Sequence, residues 1–185
     1  NATLAYIYGT TMNDQSSVTV QALNGGAETV VAIGVAGSKS NAASLSASVG
    51  IMTDSANAYI ESSTITGQAS GVNRALEVDA YQATNIAIGG GSLYVTGGQA
   101  GVGIGLTYAS IADPTGGNAT DAHIRSTSIS NYDSLLVMAD SASVIAAGSA
   151  SGGAGSNGLA GAIVVSEIAP TTTAYINSGA TVSIN

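Results

Sequence analysis

The phrase NAYIES (Asn57 to Ser62) recurs with small changes along the chain, as LAYIYG around Tyr6, DAHIRS around His123 and TAYINS around Tyr175. The copies lie 53, 64 and 52 residues apart. Repetition at this spacing restricts the chain to architectures that lay down one supersecondary unit again and again, each burying its apolar face on the next. Within each copy Ala and Ile alternate with Tyr or His, which is the period of a strand. The residue after Ile is Tyr8, Glu61, Arg125 or Asn177, a variation that only a wet face tolerates. Ala and Ile are therefore expected to point inward and the Tyr/His column outward.

Alignment on this phrase brings further segments into line. VTVQA (from Val18), LEVDA (from Leu76) and LLVMA (from Leu135) follow it, then the glycine-rich runs VVAIGVAG, NIAIGGG and SVIAAGSASGG, then ASLSASVGI, GVGIGLTYASI and GLAGAIVVSEI. The long middle interval holds five extra residues between Tyr59 and Leu76 and six between Ala80 and His123. GQASGVN (67–73) and DPTGGN (113–118) are the expected surface loops. The chain has 25 glycines, each costing a helix about 1 kcal/mol, so little helix is expected.

These features predict an all-β, parallel β-solenoid array over 1–185, with approximate repeats 5–57, 58–121 and 122–173 and a partial repeat 174–185. A period near 53 residues is long for one coil, so two coils per period are expected. The Tyr copies would then lie roughly 9.6 Å apart without stacking, in a rod roughly 35 Å long. The rival arrangement folds the same strands back as antiparallel hairpins, for example around Ser38 to Asn41, into a sandwich or meander.

Composition narrows the class further. The chain has no Cys, Trp or Phe, eight Tyr and 45% hydrophobic residues, so it is globular, and its core must be made of small residues in closely spaced layers. A net charge of −8, with only Lys39, Arg74 and Arg125 as basic residues, excludes nucleic acid as a partner and disfavours an anionic membrane surface. The uncharged runs 85–112 and 141–166 exceed the length of a membrane helix but are too rich in Gly and Ser to be one, so no membrane insertion is expected. Lack of Cys suits an exported protein. The chain opens inside a repeat, so a mature protein or a fragment of a longer one is expected.

No residue pattern points to catalysis, a cofactor or a metal. His123, the only histidine, takes the slot of Tyr6, Tyr59 and Tyr175 and is expected to be their polar substitute rather than a general base or ligand. Glu77 and Asp79 share a strand face, but Thr19 with Gln21 and Leu136 with Met138 replace them elsewhere, which suggests a solvated face. GQAGVGIG from Gly98 lacks the Lys-Ser/Thr of a phosphate loop and is expected to serve close sheet packing. NAT at Asn1 and Asn118 matches the short glycosylation acceptor pattern.

NAYIESSTIT, TAYINSGATVSIN and VAIGVAGSKSNAASLSASVGI resemble the Gly/Ala/Ser/Val-rich arrays of giant bacterial surface proteins of the filamentous haemagglutinin, leukotoxin-like and autotransporter-passenger kind. That resemblance implies a right-handed β-helix in a secreted or cell-surface rod that displays or spaces adhesive regions. No catalytic residue carries over. The expected function is a structural and adhesive segment whose partner is a cell-surface receptor or glycan. The alternative is a filament subunit that adds strands to further copies of itself. Carbohydrate processing would want clustered acids, and ice binding a regular Thr face; the sequence has neither.

Overall fold

In the computed structural model, residues 1–70, 73–98, 100–112 and 119–184 are described. DPTGGN, with the acceptor Asn118, lies outside the described residues. The alternation of large and small residues is realised as fourteen strands, with no helix among the described residues. The first repeat forms β1 (Ala2–Tyr8), β2 (Thr11–Gln15), β3 (Ser17–Ser38) and β4 (Asn41–Ile51). The second forms β5 (Ser55–Glu61), β6 (Thr64–Gly67), β7 (Ala75–Thr96) and β8 (Ala100–Ala112). The third forms β9 (Ala119–Arg125), β10 (Ser128–Tyr132), β11 (Ser134–Ala154) and β12 (Gly158–Ala169). A fourth begins with β13 (Thr171–Ile176) and β14 (Thr181–Ile184).

Each repeat gives one strand to each of four sheets. Sheet A is β1-β5-β9-β13, sheet B β2-β6-β10-β14, sheet C β3-β7-β11 and sheet D β4-β8-β12. All pairings among the described strands are parallel. In sheet A the register is Tyr6 to Tyr59, Tyr59 to His123 and His123 to Tyr175, so aligned residues are direct neighbours. The corner from sheet A to sheet B recurs as well: Gly9, Ser62 and Ser126 all adopt left-handed backbone, with φ of 61°, 51° and 50°.

The 22-residue strands β3 and β7 are the frame of the molecule. Their first third lies under sheets A and B, and Val18, Val20, Leu76 and Val78 meet Ala58, Ile60, Ile124, Ile65 and Ile129 in a common core. Full burial of each Leu or Ile there contributes roughly 1.5–3 kcal/mol. Their remaining length packs against sheet D, first through Ile86, Ile88, Ala109 and Ile111. Between the two cores runs a buried polar belt. Gln82 Nε2 donates to Thr84 Oγ1 at 3.2 Å, Thr84 Oγ1 donates to Asp54 Oδ2 at 3.0 Å, and Thr120 Oγ1 donates to Gln82 Oε1 at 3.1 Å.

Beyond the second core, sheets C and D continue as a two-layer arm whose interior is mostly Gly, Ala, Ser and Thr. A Cβ on Gly34 would lie 2.6 Å from the Leu45 carbonyl oxygen, and one on Gly90 would lie 2.7 Å from Thr107 Oγ1. The sheets are therefore closer than ordinary side chains allow, as a small-residue core requires. One aromatic does enter: Tyr94 is buried where Gly101, Gly153 and Gly158 leave room for its ring. Tyr132 is likewise buried, in the first core. The expectation of a core made of small residues is thus corrected at these two positions.

Two further expectations are corrected. One period is one layer of the stack, not two coils, because strands a full repeat apart are hydrogen-bonded neighbours. The stack is then four strands deep in sheets A and B, about 19 Å, not roughly 35 Å. Asn24, Gly25 and Gly26 are residue types that favour turns, yet β3 runs straight through them as one long strand. The antiparallel alternative fails too. The chain does reverse between Ser38 and Asn41, but β3 and β4 belong to different sheets and each pairs in parallel with the next repeat.

Candidate functional site: a ring column and an uncharged arm

Because the repeats are in register, the outward aromatic slot of sheet A becomes a continuous column. Ring centroids are 5.3 Å apart for Tyr6 and Tyr59, 5.1 Å for Tyr59 and His123 and 5.0 Å for His123 and Tyr175, with interplanar angles of 14°, 6° and 5°. Such offset parallel contacts add about 0.5–1.5 kcal/mol each beyond their buried area. His123 occupies the Tyr slot as the alignment indicates. Ala58, Ile60, Ala122 and Ile124 on the opposite face are fully buried.

The slots beside the column carry opposite charges on adjacent layers. Glu61 accepts from Arg125 at 2.8 Å and from His123 Nε2 at 3.0 Å, while His123 Nδ1 contacts Asp121, which also accepts from Thr173. Each ring nitrogen of His123 thus faces a carboxylate, Asp121 on its own strand and Glu61 on the layer before. The His123 hydrogen bond, helped by Arg125 and opposed by partial burial, holds the Glu61 carboxyl below its usual range. The cluster clamps layers together, joining Glu61 of β5 to His123 and Arg125 of β9, and Asp121 of β9 to Thr173 of β13.

A second clamp sits where sheet B passes into sheet C. Arg74 binds Asp133 through NH2 at 2.6 Å and Nε at 3.4 Å, donates through its backbone NH to the same carboxylate at 2.8 Å, and reaches the Gln68 carbonyl at 2.6 Å. The guanidinium lowers the Asp133 carboxyl, and Asp133 in turn raises Arg74. Sequence reasoning missed both clamps. The signal was present in Glu61 and Arg125, which hold the same slot of aligned copies with opposite charge, but it means attraction only once the copies are known to touch.

Glu77 and Asp79 do share the outer face of β7. The solvated face expected there fails at Asp79, which is buried and accepts a 2.9 Å hydrogen bond from Gln21, its register neighbour on β3. The glycines of GQAGVGIG do serve sheet packing: a Cβ on Gly101 or Gly103 would crowd Tyr94, and one on Gly105 would meet Ser149.

The largest anomaly is the arm. Segments 29–53, 85–112 and 141–166 contain one charged residue, Lys39 in the tip turn, and the thirteen others lie elsewhere in the chain. Past Ile88 and Ile111 the arm is also inside out: mainly small and hydroxylated residues line its interior, and its large aliphatic side chains stand exposed on the outer faces. Val31, Ile33 and Val35 on sheet C are 68%, 70% and 72% exposed, and Leu45, Leu159 and Ile163 on sheet D are 66%, 66% and 57% exposed. Contiguous apolar faces of this kind mark interaction surfaces on soluble proteins.

The chain matches no protein-family model, and no curated protein or solved structure matches it.

Proposed function

We propose that the chain is a non-enzymatic segment of a secreted or surface-displayed bacterial protein, a right-handed parallel β-solenoid that builds a stiff body and presents an adhesive surface. One observation carries this reading: strands a full repeat apart pair in parallel over as many as 22 consecutive residues, so that one layer templates the next. Backbone ladders along one axis give stiffness from small residues and leave the outer faces free to vary. The partners on this reading are a receptor or glycan on another cell, met through those faces.

Beads coated with the chain should be retained on cultured cells more than albumin-coated beads, and electron microscopy should show layered particles. Equal retention would overturn the adhesive role, and unlayered particles the structural one. The filament alternative has its own support. β3 and β11, at opposite edges of sheet C, have 22 and 21 residues and the same direction, so one edge suits the other on a neighbouring copy. Fibres growing along the stacking axis would favour it.

A further inference from the structure

The two outer faces of the arm differ in relief. On sheet C, Gly89, Gly91, Ala150 and Gly152 floor an open apolar trough of about 390 Å³, walled by Ile33 and Leu93. On sheet D, the opposite side of the same arm, Leu45, Ile104, Leu106, Leu159 and Ile163 stand out as a ridge. We propose that these faces are the two halves of one contact between copies of this chain, in which the sheet D ridge of one copy seats in the sheet C trough of the next.

Three arguments select a second copy as the occupant. A single translation perpendicular to the sheets satisfies both faces at once, whereas a small apolar ligand in the trough would leave the ridge bare. An open two-layer stack of whatever length has two edges with unpaired ladder groups, and hydrocarbon tolerates none, which disfavours a lipid bilayer. The area is also adequate. Three strands by nine residues give a plan of about 14 Å by 30 Å, or roughly 850 Å² counting both partners before side-chain relief is added. That is a weak pairwise contact, and a copy engaged through both faces buries twice as much. Because ridge and trough are different surfaces, the contact is heterologous and does not close on itself, so copies stack in open rows.

This contact goes beyond the structural reading and is tested separately from it, by sedimentation velocity of the full chain from about 1 to about 200 µM, where a contact of this size becomes populated. The chain should grow in size with concentration. Ile33→Lys, which puts a charge beside the trough, and Ile104→Glu, which puts one on the ridge, should each remain monomeric. An equimolar mixture of the two should form one-to-one pairs and nothing larger, because each variant keeps the face the other has lost. Val31→Lys and Leu106→Glu provide a second pair if either first variant loses the strand signal in circular dichroism. A monomeric wild-type chain at the highest concentration would overturn the proposal. So would self-association of either single variant, which means a like-face or strand-edge contact. Flotation of the monomer with neutral phosphatidylcholine vesicles would overturn it in favour of lipid.

Discussion

Gly89 and Gly90 are adjacent in β7 but stand in opposite worlds. A Cβ on Gly89 meets nothing within 4 Å, whereas one on Gly90 meets Thr107 Oγ1 at 2.7 Å and Ser48 Oγ at 3.0 Å. Gly90→Val should therefore destabilise the chain by about 1–3 kcal/mol through overpacking, while Gly89→Val should be neutral or slightly stabilising. Urea melts of the two variants check this, and similar losses from both would mean that the facing of the arm is wrong. The charged slots give a second prediction. Glu61 and Asp133 are both depressed in the folded state, Glu61 first by its hydrogen bond with His123 and then by Arg125, and Asp133 by Arg74. Depressed carboxyls add stability that is fully present above their unfolded values near about 4 and drains away as pH falls toward the folded values. Melting temperature should fall steeply below about pH 4, and Glu61→Gln and Asp133→Asn should each flatten that acid limb while lowering stability at neutral pH.

At the scale of elements, the long strands of sheet C serve two neighbours, and the belt at Gln82 marks where one gives way to the other. Gln82→Leu removes the acceptor of Thr120 and the donor to Thr84 in a fully buried setting. A cost of about 1–3 kcal/mol is expected in thermal or urea melts, the usual penalty for stranding buried polar groups. The strands of sheet A were legible because the slot after Ile varies among Tyr8, Glu61, Arg125 and Asn177, and such variation identifies the wet face, whereas the short strands of sheet B were not picked out. The arm offers no such signal. Past Ile88 its inward positions are mostly Gly, Ala and Ser, while its outward ones mix Val, Ile and Leu with Gly and Ala, so the rule by which alternation is read does not pick out the buried face. The number of layers per repeat was hidden for another reason: Asn24-Gly25-Gly26 carries the residues of a turn but adopts an extended backbone inside β3.

For the whole molecule, the period of the sequence is also the distance every contact must span. Paired residues lie 52 to 64 positions apart in sheets A and B and 57 to 59 in sheets C and D, and no pairing among the described strands is local. Loop closure must precede any stabilising contact, so refolding should be slow, on the order of seconds or longer even at low denaturant. Stopped-flow refolding in the millisecond range would contradict the layered topology. The ring column, the two ionic clamps and the arm all depend on this register: a slip of one residue would turn the arm's valines inward and separate Tyr59 from His123.

One layer consumes more than fifty residues and raises the stack by about 4.8 Å, near 0.09 Å per residue, against 1.5 Å per residue for an α-helix. Thirty such repeats would stand only about 145 Å tall. A gene built this way invests in breadth rather than height. Duplicating or losing one repeat scarcely alters how far the protein projects, yet it adds or strips a full-width band from every surface it displays.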